Sequence, residues 1–209
     1  MKENVIKYYV LCNKLKNIIR TGWLDWNVKR ERLESVAEHV YGVQMLAIAM
    51  YSEYKYDIDL SKVLVMLAIH ELEETIIGDL TCFQISEEEK KDMGHKAVEQ
   101  VLESLYKKDY LKDIIYEFDE RKTKEAIFAY HCDKLECDLQ CKLYDEGNCV
   151  DLNDQDNNQT KDKKVKKLLE EDKLSWSEMW LEYDKQKFID DKNFLEVWEY
   201  VKNNKINEK

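Results

Sequence analysis

Residues 35–50 have the sequence SVAEHVYGVQMLAIAM, and this stretch decides the fold class. Ser35 is followed three residues later by Glu38, the capping-box pattern of a helix start, in which each side chain accepts a hydrogen bond from the other residue's backbone. Apolar side chains then recur at the spacing of one helix face, at Val36, Val40, Val43, Leu46, Ala47 and Met50. The stretch therefore predicts a helix that starts near Val36 and packs one face against a core.

Helical spacing of apolar residues extends over most of the remaining chain. Residues 60–72 are apolar nearly all round, which predicts a buried central helix, and Gly78 provides a stop. The other predicted helices cover residues 5–19, 86–105, 122–143, 175–188 and 193–202. The stretch 146–164 is polar and has no apolar period, so we expect a long surface loop there.

The composition excludes several classes of protein. The 209 residues include no proline and five glycines, whereas average usage would give roughly ten and about fifteen. Sheets joined by tight turns depend on these residues, so an all-β sandwich or barrel is excluded and we predict an all-α protein. The formal charge of −11 argues against binding to a nucleic-acid polymer.

The sequence carries no feature typical of export or of a membrane span. The first residues lack the basic start and apolar centre of a secretory signal. The longest strictly apolar run, residues 63–69, is far shorter than the roughly 18 residues that a spanning helix needs. The six cysteines are expected to be reduced thiols rather than a disulfide framework. We therefore expect a cytoplasmic protein without a membrane partner.

Candidate metal ligands are polar residues on apolar helices or at their ends, namely His39, His70, Glu71 and Asp133. An imidazole or carboxylate buried without a partner is costly, and a metal ion would compensate that cost. The residues alone leave simpler alternatives open. A lone buried histidine is usually hydrogen-bonded, and Glu71 could lie on a solvated acidic face. Asp133 could pair with Lys134 or Lys122.

Four blocks of residues follow one another in a characteristic order, namely Arg20-Thr21-Gly22-Trp23, Glu34-Ser35-Val36-Ala37-Glu38-His39, His70-Glu71-Leu72-Glu73-Glu74-Thr75-Ile76-Ile77-Gly78-Asp79, and Asp133. In this order they resemble the HD-domain metal-dependent phosphohydrolases, and more narrowly the 5′-deoxynucleotidase branch of that family. The resemblance rests on roughly the first two thirds of the chain. It implies a single all-helical HD-type domain over residues 1–209, with a core over 1–145, the polar loop over 146–164 and C-terminal helices over 165–209.

The resemblance also implies one divalent metal ion and its ligands. His39 matches the first ligand histidine of the family, His70 the histidine of its namesake pair, and Asp133 its distal aspartate ligand. Glu71 stands where the family has a metal-binding aspartate. Glutamate keeps the charge but is one methylene longer, so this arm must fold back to coordinate. The mixed nitrogen and oxygen donors suit manganese, iron, cobalt, nickel or zinc better than calcium, and leave magnesium open.

Further roles follow from the same resemblance. Glu74 matches a glutamate that orients or activates the attacking water, and Asp79 matches an acid near the leaving 5′ oxygen. Arg20 matches the residue that holds the phosphate, for which its planar fork of donors is suited. Trp23 matches a tryptophan that packs against the sugar or base. The simpler alternatives are surface charges for the two acids, compensation of a helix dipole for Arg20 and core packing for Trp23.

The implied function is hydrolysis of a phosphomonoester in a small nucleotide, with a deoxyribonucleoside 5′-monophosphate as the expected substrate and no covalent intermediate. Dimers are common in the family, so the resemblance also allows a homodimer. One alternative is a catalytically impaired relative that binds nucleotide or metal as a sensor or interaction module, which Glu71 favours. Another is a helical interaction protein whose late tryptophans form a docking surface, although burial within the domain explains them more simply.

Overall fold

The computed structural model describes residues 1–207, and in this part of the chain it contains α-helices and short 3₁₀ and π turns but no β-strand. The predicted all-α fold is thereby confirmed. The helices are α1 Lys2–Cys12, α2 Thr21–Asp25, α3 Val36–Glu53, α4 Leu60–Ile69, α5 Glu74–Ile77, α6 Glu87–Leu102, α7 Lys108–Glu120, α8 Lys124–Glu146, α9 Lys163–Lys166, α10 Trp176–Asp184 and α11 Lys192–Asn203. None of the helices in residues 1–207 is long and apolar enough to cross a membrane.

The predicted start of α3 is confirmed in atomic detail. The Ser35 side chain accepts a hydrogen bond from the Glu38 backbone, and the Glu38 side chain accepts one from the Ser35 backbone. The same reciprocal pair forms between Ser86 and Glu89 at the start of α6. Because each pair satisfies donors that a helix otherwise leaves unbonded, these two starts are fixed by local sequence.

Other elements differ from the sequence prediction. The first helix ends at Cys12 and continues as a 3₁₀ turn over Asn13–Asn17. Helix α7 was not predicted, although Leu111, Ile114, Ile115 and Phe118 recur at helical spacing. Its buried side chains are Ile114, Ile115 and Phe118, so tertiary packing of one face stabilises it.

The chain forms two compact units. The first unit comprises residues 1–21 and 34–130, and the second comprises residues 22–33 and those from 131 onward. In the first unit, α3 and α4 supply fully buried side chains from Val36, Val43, Ala47, Val63, Met66 and Leu67. Helix α8 runs on from the first unit into the second. The prediction that the whole chain is a single domain stays a prediction.

The core of the second unit is rich in aromatic side chains. The rings of Trp23 and Trp26 contact Trp176, which is 1% exposed. The stretch 146–164, which was predicted as a surface loop, contributes to this core through Gln159, which is 3% exposed. The Gln159 side chain accepts a hydrogen bond from the Trp26 indole at 2.5 Å and donates one to Asp25 at 2.9 Å. Its amide thus satisfies a buried indole N–H, a role that the polarity of the segment conceals.

Candidate metal centre

Three of the predicted ligands meet in the first unit. His39 on α3 is 0% exposed, and His70 and Glu71, which directly follow α4, are 4% and 9% exposed. The Nε2 atoms of His39 and His70 lie 3.7 Å and 3.6 Å from Oε1 of Glu71. One potential ligand atom from each of the three residues lies within 4.8 Å of the others. The fold therefore brings together donors that are 31 residues apart in the sequence.

The helices explain this convergence. His39 lies on the buried stripe of α3, among residues that also include Val36 and Val43. Asp59 caps α4 by accepting hydrogen bonds from the backbone of Ser61 and Lys62, and this fixes the helix that His70 ends. The ring of Phe118, from the helix that was not predicted, packs edge-on against His70 with centroids 5.3 Å apart.

The His70 ring is oriented by a hydrogen bond. Its Nδ1 lies 2.7 Å from the carbonyl oxygen of Leu67. A carbonyl can only accept, so Nδ1 donates this bond, and in a neutral imidazole the lone pair then lies on Nε2, which faces Glu71. A backbone acceptor behind a ligating histidine is the usual arrangement in metal sites.

The spacing of the donors also fits a shared ion. Ligands at 2.0–2.2 Å from a tetrahedral metal are separated by about 3.4 Å, close to the 3.6 Å and 3.7 Å between the imidazole nitrogens and Glu71 Oε1. These distances are too long for direct hydrogen bonds. Two imidazoles and a carboxylate suit a first-row transition dication. The residues of the first unit therefore fit the implied metal.

Arg20 lies beside these donors. Its Nη1 is 3.4 Å from Glu71 Oε1 and 4.0 Å from Asp79 Oδ1. The Thr21 backbone donates to Asp79 Oδ2 at 2.6 Å, and its hydroxyl donates to the Asp79 carbonyl, also at 2.6 Å. On its other side the Arg20 backbone donates to the carbonyl of Glu34 at 3.1 Å. Hydrogen bonds of Thr21 and of the Arg20 backbone thus fix the segment that places the guanidinium beside the two carboxylates.

Glu74 is the first residue of the short helix α5 and is 0% exposed. Burial raises its pKa well above the usual value, and the charges of Glu71 and Asp79 raise it further. Its Oε1 accepts a hydrogen bond from Lys90 at 3.4 Å. Gly78, at φ 75°, ends α5 in a conformation that other residues rarely adopt, and leads into Asp79.

Trp23 and Asp133 lie in the second unit. Trp23 is 7% exposed and meets the rings of Tyr144 and Trp176 edge-on. Asp133 lies on α8, is 3% exposed and forms an ion pair with Lys134 at 2.8 Å. Core packing and a helix ion pair, the simpler alternatives for these two residues, are therefore both present. Their roles at the site remain predictions.

Sequence reasoning missed Thr21 and Lys90 as members of this cluster. Thr21 was quoted only as part of a block, and its two bonds to Asp79 span 58 residues. Lys90 falls in the helix predicted over residues 86–105, and a lysine on a helix is ordinarily solvated. No local signal distinguishes it from the neighbouring Lys91.

The comparisons with known proteins define the class. The sequence model of the HD domain family matches residues 12–176, so the chain belongs to that family. The resemblance to the HD-domain family that was stated from the sequence is thereby confirmed.

More particular likenesses follow from individual relatives. The chain is 30% identical over 152 residues to "5′-deoxynucleotidase HDDC2" of Dictyostelium discoideum, which covers 69% of this chain and 79% of that protein. The protein of the same name from Homo sapiens is 26% identical over 147 residues, with 69% and 70% covered.

Solved structures share the fold. A conserved hypothetical protein from Pyrococcus furiosus superposes with a TM-score of 0.68 at 26% identity, covering 95% of this chain and 99% of that one. A predicted metal-dependent phosphohydrolase from Magnetospirillum magnetotacticum has a TM-score of 0.59 at 23% identity, with 69% and 72% covered. The second likeness shows the fold alone.

Proposed function

We propose that the protein hydrolyses the phosphomonoester of a deoxyribonucleoside 5′-monophosphate with the help of one divalent metal ion. The observation that carries the proposal is the meeting of His39, His70 and Glu71 beside the guanidinium of Arg20. Such a site offers ligands for a dication and a cation for a phosphate within one cluster. The relatives named 5′-deoxynucleotidase support the choice of substrate.

In this proposal His39, His70 and Glu71 hold the ion, and Asp133 supplies the fourth ligand. A bound manganese, cobalt, iron, nickel, zinc or magnesium ion would supply the polarisation of a phosphoryl oxygen and a lowered pKa for a coordinated water. The side chain of Glu71 replaces an aspartate of the family and already faces both histidines. Its extra methylene is therefore compatible with coordination.

The protein's own residues then position the substrate and its protons. Arg20 donates to the non-bridging phosphate oxygens, because its fork is oriented by Glu71 and Asp79. Glu74 orients the attacking water through its buried carboxyl, whose Oε1 is held by Lys90. Asp79 lies near the leaving 5′ oxygen, and Trp23 packs against the sugar or base. A cytoplasmic location and a homodimer belong to the same proposal.

A second candidate is a nucleotide or metal sensor without turnover. It is favoured by the Arg20–Glu71 ion pair, which engages the same carboxylate oxygen that faces the two histidines. A guanidinium on this oxygen competes with a metal ion for its lone pairs.

The test is phosphate release from a panel of nucleoside monophosphates, after the metal has been stripped and reloaded. Asp133→Asn is compared with Asp138→Asn, which makes the same chemical change at another buried position of α8. We expect activity that needs metal, is lost in Asp133→Asn and is kept in Asp138→Asn. An inert parent that binds nucleotide and metal would favour the sensor, and equal activity in both variants would remove Asp133 from the site.

A further inference from the structure

Lys90 reaches into the candidate site from another helix. It lies in the first turn of α6, where the capping box of Ser86 and Glu89 fixes the backbone and the Lys90 amide donates to the Ser86 carbonyl at 2.9 Å. Its side chain is 30% exposed. The ammonium group donates to Oε1 of Glu74 at 3.4 Å and to the carbonyl oxygen of Leu80 at 2.9 Å.

These two acceptors lie on either side of Asp79. Glu74 starts α5, and Leu80 follows Asp79 after the Gly78 turn. The ammonium group of Lys90 thus links the buried first residue of α5 to the segment that follows this helix. Thr21, which lies 58 residues earlier in the chain, holds the same turn through its two hydrogen bonds to Asp79.

The electrostatic surroundings keep Lys90 charged. Burial opposes its charged form, but the charges of Glu71, Glu74, Glu73 and Asp79 outweigh this effect and raise its pKa above the usual value. A lysine with this environment remains an ammonium donor at neutral pH. It also offsets part of the repulsion among the carboxylates.

We propose that Lys90 is a positioning residue for the hydrolysis: it holds the Glu74 carboxylate and the Leu80 carbonyl, and thereby fixes the orientation of Glu74 and of the turn that carries Asp79. The inference rests on the proposed function, because it deepens the role given to Glu74. Lys90 acts through Glu74 and is not assigned a contact with substrate.

The kinetic test is a double-mutant cycle. We expect Lys90→Met to lower kcat about 10- to 100-fold, which is the range found when a residue that orients a functional side chain is removed. KM should change less than about threefold. In a Glu74→Gln background the same change should cost less than about threefold, because the group that Lys90 orients is already impaired. Lys90→Arg should recover part of kcat. The matched control is Lys91→Met, which removes the same charge from the adjacent exposed lysine and should stay within about twofold of the parent.

A second readout does not depend on turnover. Amide hydrogen exchange over residues 78–85, measured in metal-free protein, should accelerate in Lys90→Met and stay at the parent rate in Lys91→Met, because only the first loses the bond to Leu80. This measurement decides the question even if no nucleotide is hydrolysed, so failure of the proposed function and failure of this inference are distinguishable. Unchanged exchange in Lys90→Met would overturn the proposal. In an active enzyme, an equal loss of kcat in both Glu74 backgrounds would do the same.

Discussion

Two regions of the molecule bury carboxylates, and they do so with different partners. In the first unit, Glu71 and Glu74 are 9% and 0% exposed, and the cluster around them contains imidazoles, a guanidinium and an ammonium. In the second unit, Asp138 and Asp184 are 2% and 7% exposed, and a lysine, Lys187, lies 2.8 Å from Asp184. Buried acids alone therefore do not define a site. It is the mixture of imidazole, guanidinium and ammonium groups around Glu71 and Glu74 that indicates a functional site in the first unit.

The pair of Asp138 and Asp184 has a thermodynamic consequence instead. Burial raises the pKa of Asp138 well above its usual value, the charge of Asp184 raises it further, and Lys187 and Lys134 oppose the shift. One oxygen of Asp138 is buried without a hydrogen-bond partner among the described residues. Such a group costs stability when ionised. The comparison thus predicts loss of activity from changes in the first unit and gain of stability from a change in the second.

The largest expected effect is that of His70→Gln. Removing one imidazole ligand should lower kcat/KM by about 1,000-fold, since the bound ion contributes several kcal/mol of charge stabilisation. Steady-state phosphate release at saturating metal measures it. Asp138→Asn is the control from the other region and should keep activity near that of the parent. Equal losses of kcat/KM in His70→Gln and Asp138→Asn would show that the two regions do not differ in their importance for activity.

Arg20→Ala comes next, with an expected fall in kcat/KM of about 100-fold, because the phosphate loses a bidentate charged donor. The exposed Arg30, which lies over the ring of Tyr144, provides the matched control, as Arg30→Ala removes the same kind of group. Initial rates with a nucleoside monophosphate and with a smaller phosphomonoester give the measurement. A loss confined to one of the two substrates would show that Arg20 does not act on the phosphate they share.

Glu71→Asp should change activity by less than about tenfold, and we expect it to be kept or raised. The shorter acid retains charge and donor type, and it is the acid that the resemblance to the family implies at this position. Rates and metal affinity measured together check this expectation. Glu71→Gln, of nearly the same size but without the charge, is the control and should lose metal affinity.

The smallest effect concerns pH and stability in the second unit. Because the folded protein raises the pKa of Asp138, it holds a proton that the unfolded chain has released, so the stability contributed by this group falls as pH rises above the unfolded value of about 3.9. Asp138→Asn should remove that fall and raise the free energy of unfolding at pH 8 by about 1 kcal/mol or more relative to the parent.

Urea unfolding of Asp138→Asn and parent at pH 5 and pH 8 measures this effect. The gain from the substitution should be larger at the higher pH. A gain that is independent of pH would show that the carboxyl does not change its ionisation in this range.

Several features of the fold could be predicted because they are local. The starts of α3 and α6 follow from capping boxes that close within three residues, at Ser35 and at Ser86. Helix α7 lacks this local signal, because no side chain caps its start at Lys107, and the helical spacing of Ile114, Ile115 and Phe118 indicates it instead.

The same division holds for the site. The position of His39 on the stripe of α3 is local, and its burial is confirmed. The contact of Lys90 with Glu74 spans 16 residues and depends on how α6 packs beside α5, which no short pattern encodes. The place of Gln159 under Trp26 spans 133 residues and was hidden by a polar composition.

The central proposal is that His39, His70 and Glu71 hold one divalent ion, and the metal content of the purified protein tests it most directly. Elemental analysis after reloading and desalting should give about one ion per chain in the parent and in Asp138→Asn, and about none in His39→Gln, because a buried three- or four-ligand site loses most of its affinity with one imidazole. A parent that retains no ion under any loading condition, or a His39→Gln variant that retains as much as the parent, would contradict the claim.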